Sequence, residues 1–331
     1  MTNAPESTLR IVVPDDEPPA IGGSPQEQKL RDLGELRVHD SLALGQEMLL
    51  ERIRDAHVAI CIRNSSQFTA EVLDQCADMR HIVVFGIGVD MVDLEACRRL
   101  GILVTNTPGY SAPAVAEHAI ALAMAVAKRV VTNDRLVREG GWAKDAVGQL
   151  YGKTLGVVGA GPIGKRAAEL GRGIGMNVIA WTYHPDEDWG ERAGVRWAQL
   201  DEVMRTADIV TVHLRLSDRS RGLLDRSLLE SMKPGAIFVN TARGAIADEE
   251  ALLELLAAGR IAGAGLDVFS REPLPPGHPF TALDNVVLAP HVASSTPEAD
   301  ADGLEMVVDN IRQWLAGTPV HMMTQDVGFP T

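Results

Sequence analysis

The chain has 331 residues, of which 46% are apolar, a composition that excludes a disordered polymer and a length that suits about two domains. Lysine and arginine total 31 against 45 aspartates and glutamates, giving a net charge of −14, so the molecule repels the phosphates of nucleic acids and anionic lipid surfaces. We therefore expect neither nucleic acid nor a membrane as a partner.

The amino terminus and the cysteines indicate the compartment. The first ten residues lack the basic and apolar regions of a secretory signal. The chain has three cysteines, without the C-x-x-C spacing of a zinc or redox site, which is typical of reduced thiols. The most apolar stretch, 114–131, contains charged residues and does not qualify as a membrane span. The sequence thus predicts a cytoplasmic protein without a metal.

Short β-rich runs alternate with helical patterns through the first third of the chain. The segment 15–25 is rich in proline, glycine and acidic residues and predicts a surface loop. Further along, continuous apolar runs are typical of parallel strands buried on both faces, and long helices are expected at 112–139 and 297–316. The predicted strands are 10–13, 36–39, 58–63, 81–85, 154–158, 178–181, 209–214, 236–240, 263–268 and 285–288, with further helices near 47–56 and 69–77.

A glycine pattern follows the predicted strand 154–158 and precedes a helical segment. Gly159, Gly161 and Gly164 form G-x-G-x-x-G, in which the first glycine permits a tight turn, the second lets the backbone approach a pyrophosphate and the third permits close helix packing. The free N–H groups and dipole at the start of the helix favour such an anion. The pattern predicts a dinucleotide site, with a glycine-rich structural turn as the alternative.

The residue that ends the second strand of such a site contacts the adenosine ribose, where an acid favours NAD and disfavours NADP. This sequence has Thr182 there. His184 could help to hold a 2′-phosphate, whereas the acids at 186–188 would oppose it. The sequence leaves NAD and NADP open.

Three further motifs follow predicted strands, at the edge where open parallel sheets bind ligands. They bring Arg243, Asp267, Glu272 and His291 to that edge. Hydride transfer to a carbonyl needs a proton donor, a carboxylate to tune it and a cation for an anionic substrate. His291 beside Glu272 would supply the first two, and Arg243 would supply the third through its rigid fork.

In order and spacing, the motifs GxGxxG at 159–164, NTARG at 240–244, GLDVFSREP at 265–273 and APH at 289–291 resemble the D-isomer-specific 2-hydroxyacid dehydrogenases. The resemblance implies two α/β domains, Rossmann-like or flavodoxin-like with parallel sheets, the cofactor domain being inserted into the substrate domain. It further implies a substrate domain of residues 1–107 and 297–331, a dinucleotide-binding domain of residues 108–296, and a homodimer.

The same resemblance implies the reaction and the residues that perform it. A hydride passes between NAD(P)H and a small 2-oxo acid, which becomes a D-2-hydroxy acid. His291 is the general acid/base, Glu272 its partner and Arg243 the group that binds the substrate carboxylate and carbonyl. The N–H groups of Ile87 and Gly88 receive the carboxylate. The expected cofactor residues are Gly159, Gly161, Pro162, Ile163, Gly164, Thr182, His213, Arg215, Thr241, Ala242 and, at the nicotinamide carboxamide, Asp267.

The sequence departs from the family pattern at three places. HLRLS at 213–217 replaces the usual His-x-Pro-x-Thr, so Arg215 stands where the adenosine pocket is expected and could pair with a 2′-phosphate, stack on adenine or face solvent. Ser111 and Met91 stand where the family often has Asn. These departures leave the cofactor choice and the fine substrate contacts open.

Other functions on the same fold are alternatives at this point. A nucleotide-sensing binding protein of the corepressor type could keep the catalytic residues, but the sequence has no basic targeting run. Glu272 counts against formate oxidation, because formate dehydrogenases use Gln there; phosphite oxidation is a further alternative. Because few residues follow the last predicted helix, the effector domain of a regulated phosphoglycerate dehydrogenase is not expected. His118, beside Glu117 on an apolar helix, is expected at a domain interface.

Overall fold

The computed structural model describes residues 8–62 and 66–324, which form two compact units. The first unit runs to Tyr110 and resumes at Pro297, and the second, Ser111–Thr296, is inserted into it. No helix within the described ranges is both long enough and apolar enough to cross a membrane.

The first unit contains a parallel sheet. Its strands are β1 (Arg10–Val13), β2 (Glu35–Val38), β3 (Val58–Cys61), β4 (His81–Val84) and β5 (Leu103–Thr105), and the helices between them are α1 (Pro25–Arg31), α2 (Gln46–Ile53), α3 (Ala70–Leu73) and α4 (Leu94–Leu100). The strand order β2-β1-β3-β4-β5 is the 2-1-3-4-5 order of flavodoxin-like folds. Alternate residues such as Ile11 and Val12 enter cores on opposite faces, which is why the strands are continuously apolar. The predicted end of β3 at residue 63 lies outside the described residues.

The loop after β1 differs from its prediction. The side chains of Asp15 and Asp16 are fully buried, so the segment 15–25 is not a surface loop throughout. The Asp16 carboxylate accepts the N–H groups of residues 20–22 at 2.7–3.1 Å, which compensates the cost of burying its charge. The prediction was wrong for these two acids, because local composition does not reveal an acid around which its own backbone folds.

The second unit contains a larger parallel sheet. Its strands are β6 (Thr154–Val158), β7 (Asn177–Trp181), β8 (Arg196–Trp197), β9 (Ile209–Val212), β10 (Ile237–Asn240), β11 (Gly263–Leu266) and β12 (Val286–Leu288), and its helices are α5 (Ala112–Ala127), α6 (Val130–Arg138), α7 (Pro162–Gly173), α8 (Glu187–Ala193), α9 (Leu200–Thr206), α10 (Arg226–Glu230) and α11 (Glu249–Ala257). The strand order β12-β11-β10-β9-β6-β7-β8 runs outward in both directions from β6, as in a Rossmann fold. The glycine pattern at 159–164 therefore lies at the point where the order reverses, which is where such sheets bind ligands.

The single helix predicted at 112–139 is wrong, because α5 and α6 are separate. Arg129, between them, has a left-handed backbone with φ of +51°, which a continuous helix does not allow. Helical periodicity on both sides of the break hid it from the sequence pattern. The other long helix, α12 (Pro297–Leu315), agrees with its prediction and packs in the first unit through apolar residues, namely Leu304, Val307, Val308 and Ile311.

Candidate active site

The glycine-rich turn connects the carboxyl end of β6 to α7. Gly159 has a φ of +99°, and a Cβ there would lie 2.9 Å from the carbonyl carbon of His213. A Cβ at Gly164 would lie 1.9 Å from the carbonyl oxygen of Gly159, so both positions need glycine. By contrast, nothing lies within 4 Å of the position of a Cβ at Gly161, and Pro162 begins α7. This open space before a helix start fits a pyrophosphate, which the unpaired N–H groups of a first helical turn can bind.

The loop that follows β10 is folded by an asparagine that the sequence analysis missed. The side-chain amide of Asn240 donates to the carbonyl oxygen of Arg243 and accepts the N–H of Ala242, both at 3.0 Å. Thr241 Oγ1 is buried and has no hydrogen-bond partner among the described residues. A buried hydroxyl without a partner is rare, so Thr241 fits a place where a ligand supplies one. Both the glycine-rich turn and the Thr241 hydroxyl fit the predicted dinucleotide site.

The backbones of the loops after β10 and β11 are in direct contact at a glycine. A Cβ at Gly244 would lie 2.0 Å from the carbonyl carbon of Phe269, so this contact requires glycine. Glu249, at the start of α11, accepts the N–H of Ser270 at 2.8 Å. The close approach fixes the loop that carries Glu272 against the loop that carries Arg243.

His291 follows β12 and faces Glu272. Its Nδ1 lies 2.7 Å from Glu272 Oε2, and the two side chains are 28% and 31% exposed. The backbone of His291 is left-handed, with φ of +55°, which is uncommon outside glycine and concentrates at functional sites. Because Nδ1 faces the carboxylate, Nε2 is the ring nitrogen left for a substrate.

The environment keeps Glu272 ionised. Burial raises the pKa of Glu272, but the hydrogen bond and charge of His291, the Phe269 N–H and the charge of Arg243 together lower it below its ordinary value. The Phe269 N–H donates to Oε1 at 3.0 Å. At neutral pH a carboxylate therefore orients the imidazole of His291.

Arg243 lies in the same neighbourhood, and its Nη1 donates to the carbonyl oxygen of Ala242 at 2.8 Å. Its charge acts on the Glu272 carboxylate. The structure thus brings together the three residues of the predicted catalytic set. Among the described residues, no group of three or more histidine, cysteine and acidic side chains could hold a metal ion.

Asp267 is also at this edge, where it binds backbone N–H groups. It is fully buried, and its carboxylate accepts the N–H groups of Val292 and Ala293, each at 2.9 Å. His118 Nε2 lies 3.5 Å from Asp267 Oδ1, within the second unit. Asp267 therefore anchors the backbone directly after His291. Its predicted contact with the nicotinamide carboxamide stays a prediction.

The predicted adenosine residues lie beyond β7 and β9. Thr182 follows β7 and is half-buried, whereas Arg215 is exposed. The guanidinium of Arg219 lies 4.2 Å from the ring centre of Tyr183. Asp186 pairs with Lys165 at 2.5 Å. Neither Tyr183 nor Arg219 was singled out by the sequence analysis, since a ring and a cation 36 residues apart give no local pattern.

His213 is held as a neutral imidazole. Burial lowers the pKa of His213 to about 3, and its Nε2 lies 2.9 Å from Thr211 Oγ1. Nδ1 is buried and has no hydrogen-bond partner within the described ranges. This side chain borders the glycine turn through its backbone contact with Gly159, consistent with a role in shaping a cofactor pocket.

In the first unit, Ile87 and Gly88 lie in the loop after β4. Among the described residues, neither N–H has a hydrogen-bond partner. The loop is fixed instead through its carbonyl groups, because Asn106 donates to the carbonyl oxygen of Ile87 at 2.8 Å. Asn310 of α12 in turn donates to the carbonyl oxygen of Asn106 at 2.9 Å. Two free N–H groups on a braced loop can receive an anion.

Comparisons with known proteins agree with this geometry. Residues 120–293, more than half of the chain, match the model of the D-isomer specific 2-hydroxyacid dehydrogenase, NAD binding domain. The chain is 40% identical to the glyoxylate reductase of Aeropyrum pernix over 291 residues, covering 85% of this chain and 87% of that protein.

Two further relatives have different substrates in their names. The D-3-phosphoglycerate dehydrogenase of Archaeoglobus fulgidus is 37% identical, over 86% of this chain and 54% of that protein. A solved acyclic imino acid reductase in complex with NADPH and D-Arg has a TM-score of 0.87 and 28% identity, covering 95% of this chain and all of that one. The chain belongs to the D-isomer specific 2-hydroxyacid dehydrogenases and is a nicotinamide-dependent oxidoreductase of that family.

Proposed function

We propose that this enzyme reduces the carbonyl of a small 2-oxo acid to a D-2-hydroxy acid, with His291 as the general acid. The observation that carries the proposal is the 2.7 Å contact between His291 Nδ1 and Glu272 Oε2, next to Arg243 and on the same unit as the glycine turn. Acid, orienting carboxylate and cation are the three groups that carbonyl reduction of an anionic substrate requires.

The cofactor supplies the hydride that reduces the carbonyl carbon. His291 holds a proton on Nε2 and passes it to the carbonyl oxygen, and in the reverse direction it takes the proton from the alcohol. Glu272 stabilises the imidazolium and keeps the ring oriented. Arg243 binds the substrate carboxylate and carbonyl oxygen through its fork of N–H donors. The N–H groups of Ile87 and Gly88 are proposed to bind the carboxylate as well.

Residues of the second unit would hold the cofactor. The pyrophosphate would lie against Gly161, Pro162 and Ile163. The space that a Cβ at position 161 would enter is open. Thr241 and Ala242 would line the nicotinamide site, and Asp267 would face its carboxamide.

We infer that NADPH is accepted beside NADH. No acid stands at Thr182 to repel a 2′-phosphate. The next acid along the chain, Asp186, is paired with Lys165. The exposed Arg215 offers a cation that the family pattern lacks.

The test is the loss of absorbance at 340 nm with NADH or NADPH and a panel of glyoxylate, hydroxypyruvate, pyruvate, phenylpyruvate and longer 2-oxo acids. Glyoxylate comes first because the Aeropyrum pernix relative is a glyoxylate reductase. Turnover with any 2-oxo acid is the expected result. Cofactor binding without turnover on the whole panel would overturn the proposal and favour a nucleotide-sensing protein. A rate with NADPH below one hundredth of that with NADH would overturn the inference on the cofactor.

The proposal extends to assembly as a homodimer. The helix α6 contains no buried residue, and large apolar side chains on it and on the following segment are exposed. They are Val130 (54%), Val131 (53%), Val137 (53%), Trp142 (80%), Val147 (45%) and Tyr151 (73%). Several exposed apolar side chains within one stretch of chain are typical of an association surface. Light scattering coupled to size exclusion should give twice the chain mass, and Trp142→Glu should reduce it toward the monomer.

A further inference from the structure

The helix α5 lies unusually close to β11, and two glycines of β11 make this possible. A Cβ at Gly265 would lie 2.7 Å from Leu122 Cβ, and a Cβ at Gly263 would lie 2.7 Å from Val126 Cγ1. The two glycines are two residues apart on the strand, and their partners are four residues apart on the helix. Both steps advance about 6 Å along their element, so helix and strand run in matched register.

The next pair in this register, four residues along the helix and two along the strand, is His118 and Asp267. His118 lies four residues before Leu122 on one face of α5, and Asp267 lies two residues after Gly265 on one face of the strand. The observed distance from His118 Nε2 to Asp267 Oδ1 is 3.5 Å. The small residues at 263 and 265 thus let a helix carry a histidine to a buried carboxylate.

The proposed reaction gives His118 no other role. His118 Nε2 is buried and has no hydrogen-bond partner among the described residues. A ring nitrogen buried without a partner is costly, and the closest charge that it faces is Asp267, which is itself fully buried. An N–H on Nε2 would add a third donor to a carboxylate that already accepts two backbone N–H groups.

Those two N–H groups belong to Val292 and Ala293, directly after His291. The left-handed backbone of His291, with φ of +55°, needs surrounding contacts to keep it in place. Asp267 provides such contacts, and its own position depends on the charges and donors around it. The chain of contacts therefore runs from His118 through Asp267 to the backbone that carries the imidazole of His291.

We propose that His118 is a positioning residue for His291, acting through Asp267. His118 touches neither substrate nor cofactor in this role; it fixes the carboxylate that fixes the catalytic loop. The inference rests on the proposed role of His291, and it assigns a second histidine to the reaction.

The experiment compares His118→Leu with His118→Gln in the full-length enzyme. Leucine keeps an apolar helix face but lacks a donor, whereas glutamine carries an N–H at a similar distance from the backbone. We expect His118→Leu to lower kcat about tenfold, because small displacements of a catalytic group are costly, while KM for the 2-oxo acid and Kd for NAD(P)H change less than about twofold. His118→Gln should recover most of kcat, and Glu117→Gln, on the exposed side of the same turn, should match the wild type.

A double-mutant cycle with Asp267→Asn tests the route. If His118 acts through Asp267, the losses of kcat in the two single variants will not multiply in the double variant. Wild-type kcat in His118→Leu, no recovery in His118→Gln, or losses that multiply would each overturn the inference. Failure of the proposed function is separate, since it would appear as no turnover by the wild type with any 2-oxo acid, or as full turnover in His291→Asn.

Discussion

The two parallel sheets of this enzyme carry their candidate binding groups in different ways. In the second unit, the carboxyl ends of β10, β11 and β12 present ionisable side chains, with His291 and Glu272 2.7 Å apart. In the first unit, the loop after β4 presents the backbone N–H groups of Ile87 and Gly88 and is braced by asparagines. Acid–base chemistry needs groups that change protonation, whereas binding a carboxylate needs only fixed donors. The difference predicts that loss of the acid–base pair in the second unit affects kcat and that damage to the loop after β4 in the first unit affects KM.

The largest effect is expected at the proton donor. His291→Asn removes the imidazole but keeps a small polar side chain that tolerates a left-handed backbone. We expect kcat to fall by about 10²- to 10⁴-fold, with Kd for NADH within about twofold of the wild type. Stopped-flow fluorescence of bound NADH and steady-state rates check the two quantities. Loss of cofactor binding in a folded variant would contradict the role assigned to His291.

Arg243→Lys is expected to have the second largest effect. Lysine keeps the charge but loses the fork of donors that matches carboxylate and carbonyl together. We expect kcat/KM to fall about 10²-fold through both parameters, the range found when one donor to a developing oxyanion is removed. Arg221→Lys, at an exposed position of the same unit, is the control. If Arg243→Lys lowered kcat/KM no more than Arg221→Lys does, the charge alone would account for the role of Arg243.

In the first unit, Asn106→Ala tests whether the loop after β4 affects KM and not kcat. The substitution leaves the carbonyl oxygen of the half-buried Ile87 without its donor, which costs about 1 kcal/mol. The free N–H groups of the loop then lose their fixed direction. We expect KM for the 2-oxo acid to rise about tenfold while kcat changes less than about twofold. Gln75→Ala, an exposed amide in the same unit, is the control, and a change confined to kcat would break the comparison.

Sequence patterns were sufficient where function or burial leaves a local signature. The family was predicted from the resemblance of four motifs, whereas the parallel sheets and the positions of strands such as β6 and β10 were predicted from continuous apolar runs. These predictions are confirmed. His291, Glu272 and Arg243 stood out because each follows a strand at the ligand-binding edge. Their roles stay predictions.

The contacts that hold the site in place could not be predicted, because they join residues distant in sequence. Asn106 meets Asn310 across 204 residues, and His118 meets Asp267 only because helix and strand share a register. The burial of Asp16 and the helix break at Arg129 were not predicted, for a related reason. A turn of backbone around a carboxylate, or a left-handed residue between two helical segments, leaves composition and periodicity unchanged.

The smallest effect is expected on stability in acid, and it belongs to the first unit. Burial lowers the pKa of His81, in β4, from 6.5 to about 3, and its Nε2 lies 2.9 Å from Thr105 Oγ1. Between these two pH values the unfolded chain binds a proton that the folded chain does not, so stability present above pH 6.5 is lost as the pH falls. From pH 7 to 5.5 the free energy of unfolding should drop by about 1 kcal/mol on account of this residue.

Urea unfolding at both pH values should show a smaller drop in the free energy of unfolding for His81→Gln, whereas the exposed control His184→Gln should keep the wild-type drop. An unchanged drop in His81→Gln would mean that burial of this imidazole does not govern the acid sensitivity of the first unit.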